Sequence, residues 1–273
     1  MNMKVCAWMV VKDDVFYVDL AIKSVLPYVD GVYIQDQLST DGTTERIKQL
    51  QEEYPGKIIH ELEDTDVKER FESTYNEPLW RTTALRRAEE IFDPQFLLKL
   101  DADEFYTPHF FEQLKNLEAP LQCKTFNSLM ISGERFISTK YRAACPDDER
   151  RDRFENKYYD PHILFWSRRV KVNYIRNPAF PNSYLHCIMS PEPTPTHWVP
   201  GLCVLHLHRT FGPKAKIFWE EGGEKLDKKP YNPKEQCPNW YNHRVNMGTA
   251  ERLDFNWPDY VLERWSQWGE IWE

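Results

Sequence analysis

Phe96-Leu97-Leu98-Lys99-Leu100-Asp101-Ala102-Asp103-Glu104 is an apolar run that ends in three carboxylates. A short apolar run with little polar alternation reads as a strand covered on both faces, as parallel sheets require. In an open α/β sheet the ligand crevice lies outside the carboxyl ends of the strands. Three acids at such an edge repel one another unless a cation neutralises them. Hard carboxylate oxygens suit Mg²⁺ or Mn²⁺, and either ion suits a phosphorylated substrate. The ordinary alternative is a chance Asp-x-Asp in a solvated turn.

The residues upstream supply the rest of such a sheet. Val5–Val11 is apolar nearly throughout and reads as a buried strand. Asp13 or Asp14 can cap a helix running to Leu26, with Val15, Val18, Ala21, Ile22 and Val25 on one face and Pro27 beyond its end. Residues 31–34 read as a second strand, 44–54 as a helix, 57–62 as a strand and 78–92 as a longer helix. This β-α-β-α-β rhythm implies a parallel sheet with right-handed crossovers.

Downstream the texture changes. A helix over 108–117 and a strand over 124–132 are expected. The charged residues 139–160 read as loop, and 162–166 with 170–174 as a hairpin. Residues 176–200 carry six prolines, so irregular backbone is expected there. A strand over 202–208 and a helix over 214–226 follow, then mostly loop to 258. Tyr260, Trp265, Trp268 and Trp272 recur at helical spacing in the tail and read as packing.

An apolar share of 41% in 273 residues is enough for a real core, so global disorder is excluded. The formal charge of −8 argues against a general nucleic-acid binder but leaves room for a local basic groove. Cys6, Cys123, Cys145, Cys187, Cys203 and Cys237 form no C-x-x-C pair, which disfavours a zinc site or a disulfide framework. No signal-peptide pattern opens the sequence and no apolar run has the length of a membrane span. A cytoplasmic location is the expectation.

Two further groups carry chemistry. The loop Asp36-Gln37-Leu38-Ser39-Thr40-Asp41-Gly42-Thr43 lies between a strand and a helix, where backbone N–H groups can face a ligand. Asp41 and Gly42 read as a capped turn, whereas Asp36 stands at a strand's carboxyl end. His206 and His208 are two apart in an apolar strand and so share a face.

Together these stretches resemble the GT-A fold glycosyltransferases, close to the family 2 group. The likeness rests on the opening strand with residues 21–30, on the Asp36–Thr43 loop, and on Leu100-Asp101-Ala102-Asp103-Glu104. Gln37 stands where many relatives carry a second acid. The resemblance implies an α/β, Rossmann-like, mostly parallel sheet flanked by helices. It implies one domain over 1–273, with a nucleotide-sugar-binding half (1–117) and an irregular acceptor-binding, metal-completing half (118–273). It implies an enzyme, a hexosyl- or pentosyltransferase, that moves sugar from a nucleotide-diphosphate donor (UDP by default) to a saccharide or other hydroxyl acceptor, with inversion.

By the same resemblance Asp36 and Asp101 bind the nucleotide sugar; read from the residues themselves, Arg81 on its helix and Lys214 after the histidines are cations that can reach its phosphates, with a solvated face the ordinary fate of Arg81. Asp101 and Asp103 hold Mn²⁺ or Mg²⁺, completed by His206 or His208. An inverting transferase needs a general base, and Glu192 and Asp148 lead a group that also includes Asp147, Glu149 and Asp160. Trp166, Trp198, Trp219, Trp240 and Tyr241 either stack on a sugar or base or simply pack. Three rival readings stand beside this one: a phage-type transferase acting on hydroxymethylpyrimidines in DNA, a nucleotidyltransferase, and a non-catalytic nucleotide-sugar-binding module.

Overall fold

Val5–Val11 forms strand β1, buried except at Val10, and around it a sheet is assembled. The computed structural model describes residues 4–63, 70–115, 122–125, 128–132, 135–137, 163–170, 172–176, 186–189, 196–199, 203–207, 250–252 and 256–269. The chain divides into two compact units. One comprises Met1–Ala102, Phe111–Thr125 and His162–Val199; the other comprises Asp103–Phe110, Phe126–Pro161 and Pro200–Glu273. The division falls inside the acidic motif, between Ala102 and Asp103.

In the first unit the chain runs β1, α1 (Val18–Val25), β2 (Gly31–Asp36), α2 (Thr43–Glu53), β3 (Ile58–Leu62), α3 (Arg70–Phe92) and β4 (Phe96–Lys99). The sheet is completed by β6 (Gln122–Thr125), β9 (Ile163–Ser167) and β12 (Thr196–Val199), in the order β12-β6-β9-β4-β1-β2-β3. β9 runs antiparallel to both its neighbours, and every other pairing is parallel. A mostly parallel sheet with flanking helices is the fold class expected from the sequence. Because β1 connects to β2 on one side and pairs with β4 on the other, the strand order reverses at the β1/β4 edge, where such sheets open their crevice.

Cys6, Trp8, Tyr33 and Leu97 lie on one face of the sheet and pack with Ala84, Leu85 and Ala88 of α3, with Trp166, and with Tyr174. Each large apolar side chain buried there contributes roughly 1.5–3 kcal/mol. Trp8 sits at the centre, edge-on to Trp166 at 6.3 Å and to Tyr174 at 5.5 Å. Gly31 opens β2 because the Phe92 ring crosses it: a Cβ there would stand 2.1 Å from the ring.

The second unit holds a five-stranded sheet, ordered β14 (Ala250–Arg252), β8 (Arg135–Ile137), β7 (Ser128–Ser132), β13 (Val204–His206) and β5 (Glu104–Tyr106). β13 is parallel to β7, and the remaining pairs are antiparallel. Helix α5 (Asp259–Gly269) brings the Tyr260 ring to 6.5 Å from that of Phe105, the packing role expected of Tyr260, while the side chains of Trp265, Trp268 and Trp272 lie outside the described residues. Helix α4 spans Pro108–Leu114 and opens on the proline, whose missing N–H costs nothing in a first turn.

Several elements differ from the sequence expectation. α1 begins at Val18 rather than after Asp14: residues 15–17 form a turn bonded back to Asp14 O, and Tyr17 at the cap (φ −120°) stands outside the helical range. α3 starts at Arg70 and passes through Pro78, accepting the loss of one backbone hydrogen bond. The strand expected over 124–132 is two strands, β6 and β7, in different sheets. The expected hairpin does not form: β9 inserts between β4 and β6, and β10 (Asn173–Arg176) pairs with β11 (His186–Met189). Phe165 stacks on Phe96 at 5.0 Å, so β9 gains core burial that a local hairpin lacks. Residues 176–200 hold two strands, β11 and β12, because Pro191, Pro193 and Pro195 all fall between them. The helix expected over 214–226 and the loop over 139–160 lie outside the described residues.

Candidate functional site

At the carboxyl edge of the first sheet, the loops after β1 and β2 are tied together. Lys12 Nζ donates to Gln37 O at 2.9 Å, and the Asp13 backbone N–H donates to Ser39 Oγ at 2.9 Å. The Thr40 N–H donates to Asp13 Oδ1 at 2.7 Å, and the Asp14 N–H to Thr43 Oγ1 at 2.8 Å. Asp13 and Leu38 both hold positive φ, a strain that a tightly bonded loop pair can sustain. Asp41 caps its own turn through Thr43 N and Oγ1, and Gly42 (φ 101°) leads into α2, as the turn reading expected.

Asp36 ends β2 and is fully buried. Its Oδ1 accepts the Ser39 N–H at 2.9 Å and its Oδ2 accepts the Thr44 hydroxyl at 2.5 Å. His60 Nε2 stands 3.4 Å from Oδ2, beside the carboxylate though not aligned as a hydrogen bond. Burial opposes ionisation of this carboxyl, but His60, Thr44 and Ser39 outweigh it and hold it down at about 2. Asp36, expected at the donor nucleotide, thus anchors the loop and the start of α2. Beside it Gln35 is buried, and neither its Nε2 nor its Oε1 has a hydrogen-bond partner among the described residues.

Asp101 follows β4 and lies between two cations. Arg81 Nη1 of α3 donates to Oδ1 at 2.7 Å, and Lys99 Nζ donates to Oδ2. The Lys99 side chain is 1% exposed, that of Arg81 11%, and that of Asp101 18%. Arg81 is held in turn: its guanidinium lies 5.9 Å from the centre of the Tyr174 ring, a cation–π distance. Thr82 and Arg86 fasten the same stretch of helix to the segment carrying Tyr174. The Tyr174 N–H donates to Thr82 Oγ1 at 3.1 Å, and Arg86 Nη2 donates to Val172 O at 2.6 Å. Arg81, expected on the donor, has Asp101 as its partner here; Arg86 and Arg87 serve the fold, the latter paired with Glu61.

In the second unit Asp103 is half-buried and Glu104 is buried at the start of β5. The β5/β13 ladder pairs Glu104 with His206, and the Leu207 N–H donates to Asp103 O at 2.7 Å. Backbone pairing therefore joins the acidic motif to the histidine segment expected to complete a metal shell. Among the described residues no three His, Cys, Asp or Glu side chains converge on a metal position. Asp103 carries hard oxygens of the kind such an ion prefers, and both Asp101 oxygens face cations.

The His206 side chain, His208, Lys214, Asp148 and Glu192 lie outside the described residues. Trp166 packs in the core, and of Trp198 only the backbone, in β12, is described. Lys99 was the residue that sequence reasoning passed over. A lysine two positions before Asp101 in an otherwise apolar strand was the available signal, since buried lysines are rare unless paired. Nothing in the sequence marked His60 or Thr44 as partners of Asp36, because strand register and helix docking bring them together.

No protein-family model matches the chain, and no curated protein matches it. Among solved structures it is similar to S. aureus TarS, with 15% identity, a TM-score of 0.38, and coverage of 48% of this chain and 37% of that one. It is also similar to the mannosyltransferase PcManGT of Pyrobaculum calidifontis, solved with GDP-Man and Mn²⁺, with 15% identity, a TM-score of 0.34, and coverage of 49% and 36%. A third is glucosyl-3-phosphoglycerate synthase of Mycobacterium tuberculosis, solved with UDP and Mn²⁺, with 14% identity, a TM-score of 0.35, and coverage of 61% and 57%. The chain thus spans less than two thirds of the length of each of these proteins.

Proposed function

We propose that this chain is a metal-dependent glycosyltransferase that moves a sugar from a nucleoside-diphosphate donor to an acceptor hydroxyl, with inversion. The supporting observation is the backbone tie between Asp103 and Leu207, with Glu104 paired to His206, because it brings a histidine segment to the acidic motif. In this reading Asp103 holds Mn²⁺ or Mg²⁺ together with His206 or His208, and Asp101 meets the donor's ribose. A divalent ion bound there supplies Lewis-acid stabilisation of the departing diphosphate. Lys214 adds a cation toward the same leaving group. Asp36 belongs to the nucleotide side, as a contact or through the loop that it fixes. Glu192 or Asp148 accepts the proton of the acceptor hydroxyl. UDP is the donor nucleotide to try first.

The test is a thermal-shift screen of the protein against UDP-, GDP-, CMP- and dTDP-sugars, each with and without MnCl₂. A ligand that binds only the folded state raises Tm by mass action, so at about 100 times its Kd it adds roughly 2.7 kcal/mol. A rise with one nucleotide class that requires Mn²⁺ is expected. No rise with any of them refutes the reading.

A further inference from the structure

We propose that Lys99 and Arg81 are positioning residues for the donor, acting through Asp101; this rests on the transferase reading above. Three features distinguish the arrangement from an ordinary surface ion pair. The first is that both Asp101 oxygens are bonded to cations from different elements, Arg81 on α3 at 2.7 Å and Lys99 on β4. A carboxylate fixed at both oxygens cannot rotate, so any further group it meets finds it in one orientation. The second is burial. The two cations are almost wholly enclosed, while Asp101 keeps 18% of its side chain exposed at the sheet's carboxyl edge, so the carboxylate is the face of the triad that a ligand can reach. The third is that Arg81 is itself braced, through Tyr174, Thr82 and Arg86, against the segment formed by Val172–Tyr174.

The arrangement also divides labour within the motif. A carboxylate already shared by two cations is a poor ligand for a third, because each cation lowers the electron density and the net charge the metal would meet. Asp101 is therefore an acceptor for hydroxyl or amide donors of the ligand, and the metal falls to Asp103. Preorganisation of this kind lowers the cost of ordering on binding. Its loss is felt in affinity for the nucleotide, not in affinity for the ion.

Calorimetric titration of UDP-glucose, GDP-mannose and dTDP-glucose at saturating MnCl₂ tests this, using wild type, Lys99→Met and Arg81→Gln. The donor bound by the wild type is then used to find the half-saturating Mn²⁺ concentration for each protein. Lys99→Met keeps the shape of a buried side chain without its charge. Arg81→Gln keeps a hydrogen-bond donor at a more exposed position, and serves if Lys99→Met does not fold. The expected result is a donor Kd weakened about 10- to 100-fold, the range seen for outer-shell residues, with half-saturating Mn²⁺ unchanged. Arg81→Lys should recover part of the loss. A lowered Tm with donor Kd unchanged would make the pair purely structural and overturn the proposal. A fall of about tenfold or more in half-saturating Mn²⁺ would also overturn it, because loss of through-space repulsion alone tightens a neighbouring site less than that, and a change of that size points to Asp101 as a metal ligand. If wild type binds none of the three donors, the transferase reading fails for them and the positioning role falls with it.

Discussion

Asp36 shows how a single buried carboxylate can organise a loop. Its carboxyl lies near 2 in the folded chain, below the value of about 4 of an unfolded aspartate. The sign follows: its contribution is complete above about pH 5 and is lost as the pH falls through the folded value, and it amounts to about 2 kcal/mol. Asp36→Asn should therefore be less stable than wild type at pH 7, with the gap narrowing toward pH 2 in urea unfolding. A gap that stays constant across that window would contradict the assignment. Gln35 beside it behaves oppositely. Its buried amide has no partner among the described residues, and replacing such a group with an apolar one of similar shape is neutral or stabilising. Gln35→Met should raise Tm by about 2 °C; a fall of several degrees would mean that the amide is satisfied in solution. Asp36, Asp101 and Asp103 were all legible in the sequence as acids at strand ends. Of their partners, Lys99 carried a local signal, being two residues from Asp101, but His60, Thr44 and Arg81 did not, because strand register and helix docking decide which group faces which acid.

At the scale of elements, β1, α2, β3 and β4 were legible because apolar runs and punctuation by Gly, Pro and Asp agree with one another there. β6, β9 and β12 were not, because each is a short strand whose neighbours lie far away in sequence, whereas β11, paired with nearby β10, was hidden by the prolines on either side of it. A hairpin is a local prediction, and β9 instead joins β4 and β6 in the core sheet. The close crossing of β2 by α3 gives an element-scale prediction. Gly31→Ala places a methyl group against the Phe92 ring, which must move from its present position. Overpacking of this sort costs about 1–3 kcal/mol. Gly31→Ala combined with Phe92→Leu should recover most of that cost in a double-mutant cycle, and simple additivity of the two losses would show that the ring is not what the methyl group meets.

For the whole molecule, the acidic motif is where the chain first passes from one unit to the other. The first segment of the first unit ends at Ala102, just after Asp101, which Lys99 and Arg81 secure, and the first segment of the second unit begins at Asp103, whose carbonyl is bonded to the histidine-bearing segment. One short stretch of chain thus carries an acid built into a parallel sheet and an acid tied to the far half of the sequence. The fold class was readable from the rhythm of the first half; the second sheet was not, because its strands are gathered from residues 104 to 252. The most direct measurement is Mn²⁺-dependent binding of the nucleotide sugar by wild type and by an Asp103→Ala variant that keeps its fold by circular dichroism. Binding that requires Mn²⁺ in the wild type and is lost at every Mn²⁺ concentration in Asp103→Ala is the result expected of a metal-dependent glycosyltransferase. Equal binding by the two proteins, or binding indifferent to Mn²⁺, would contradict it.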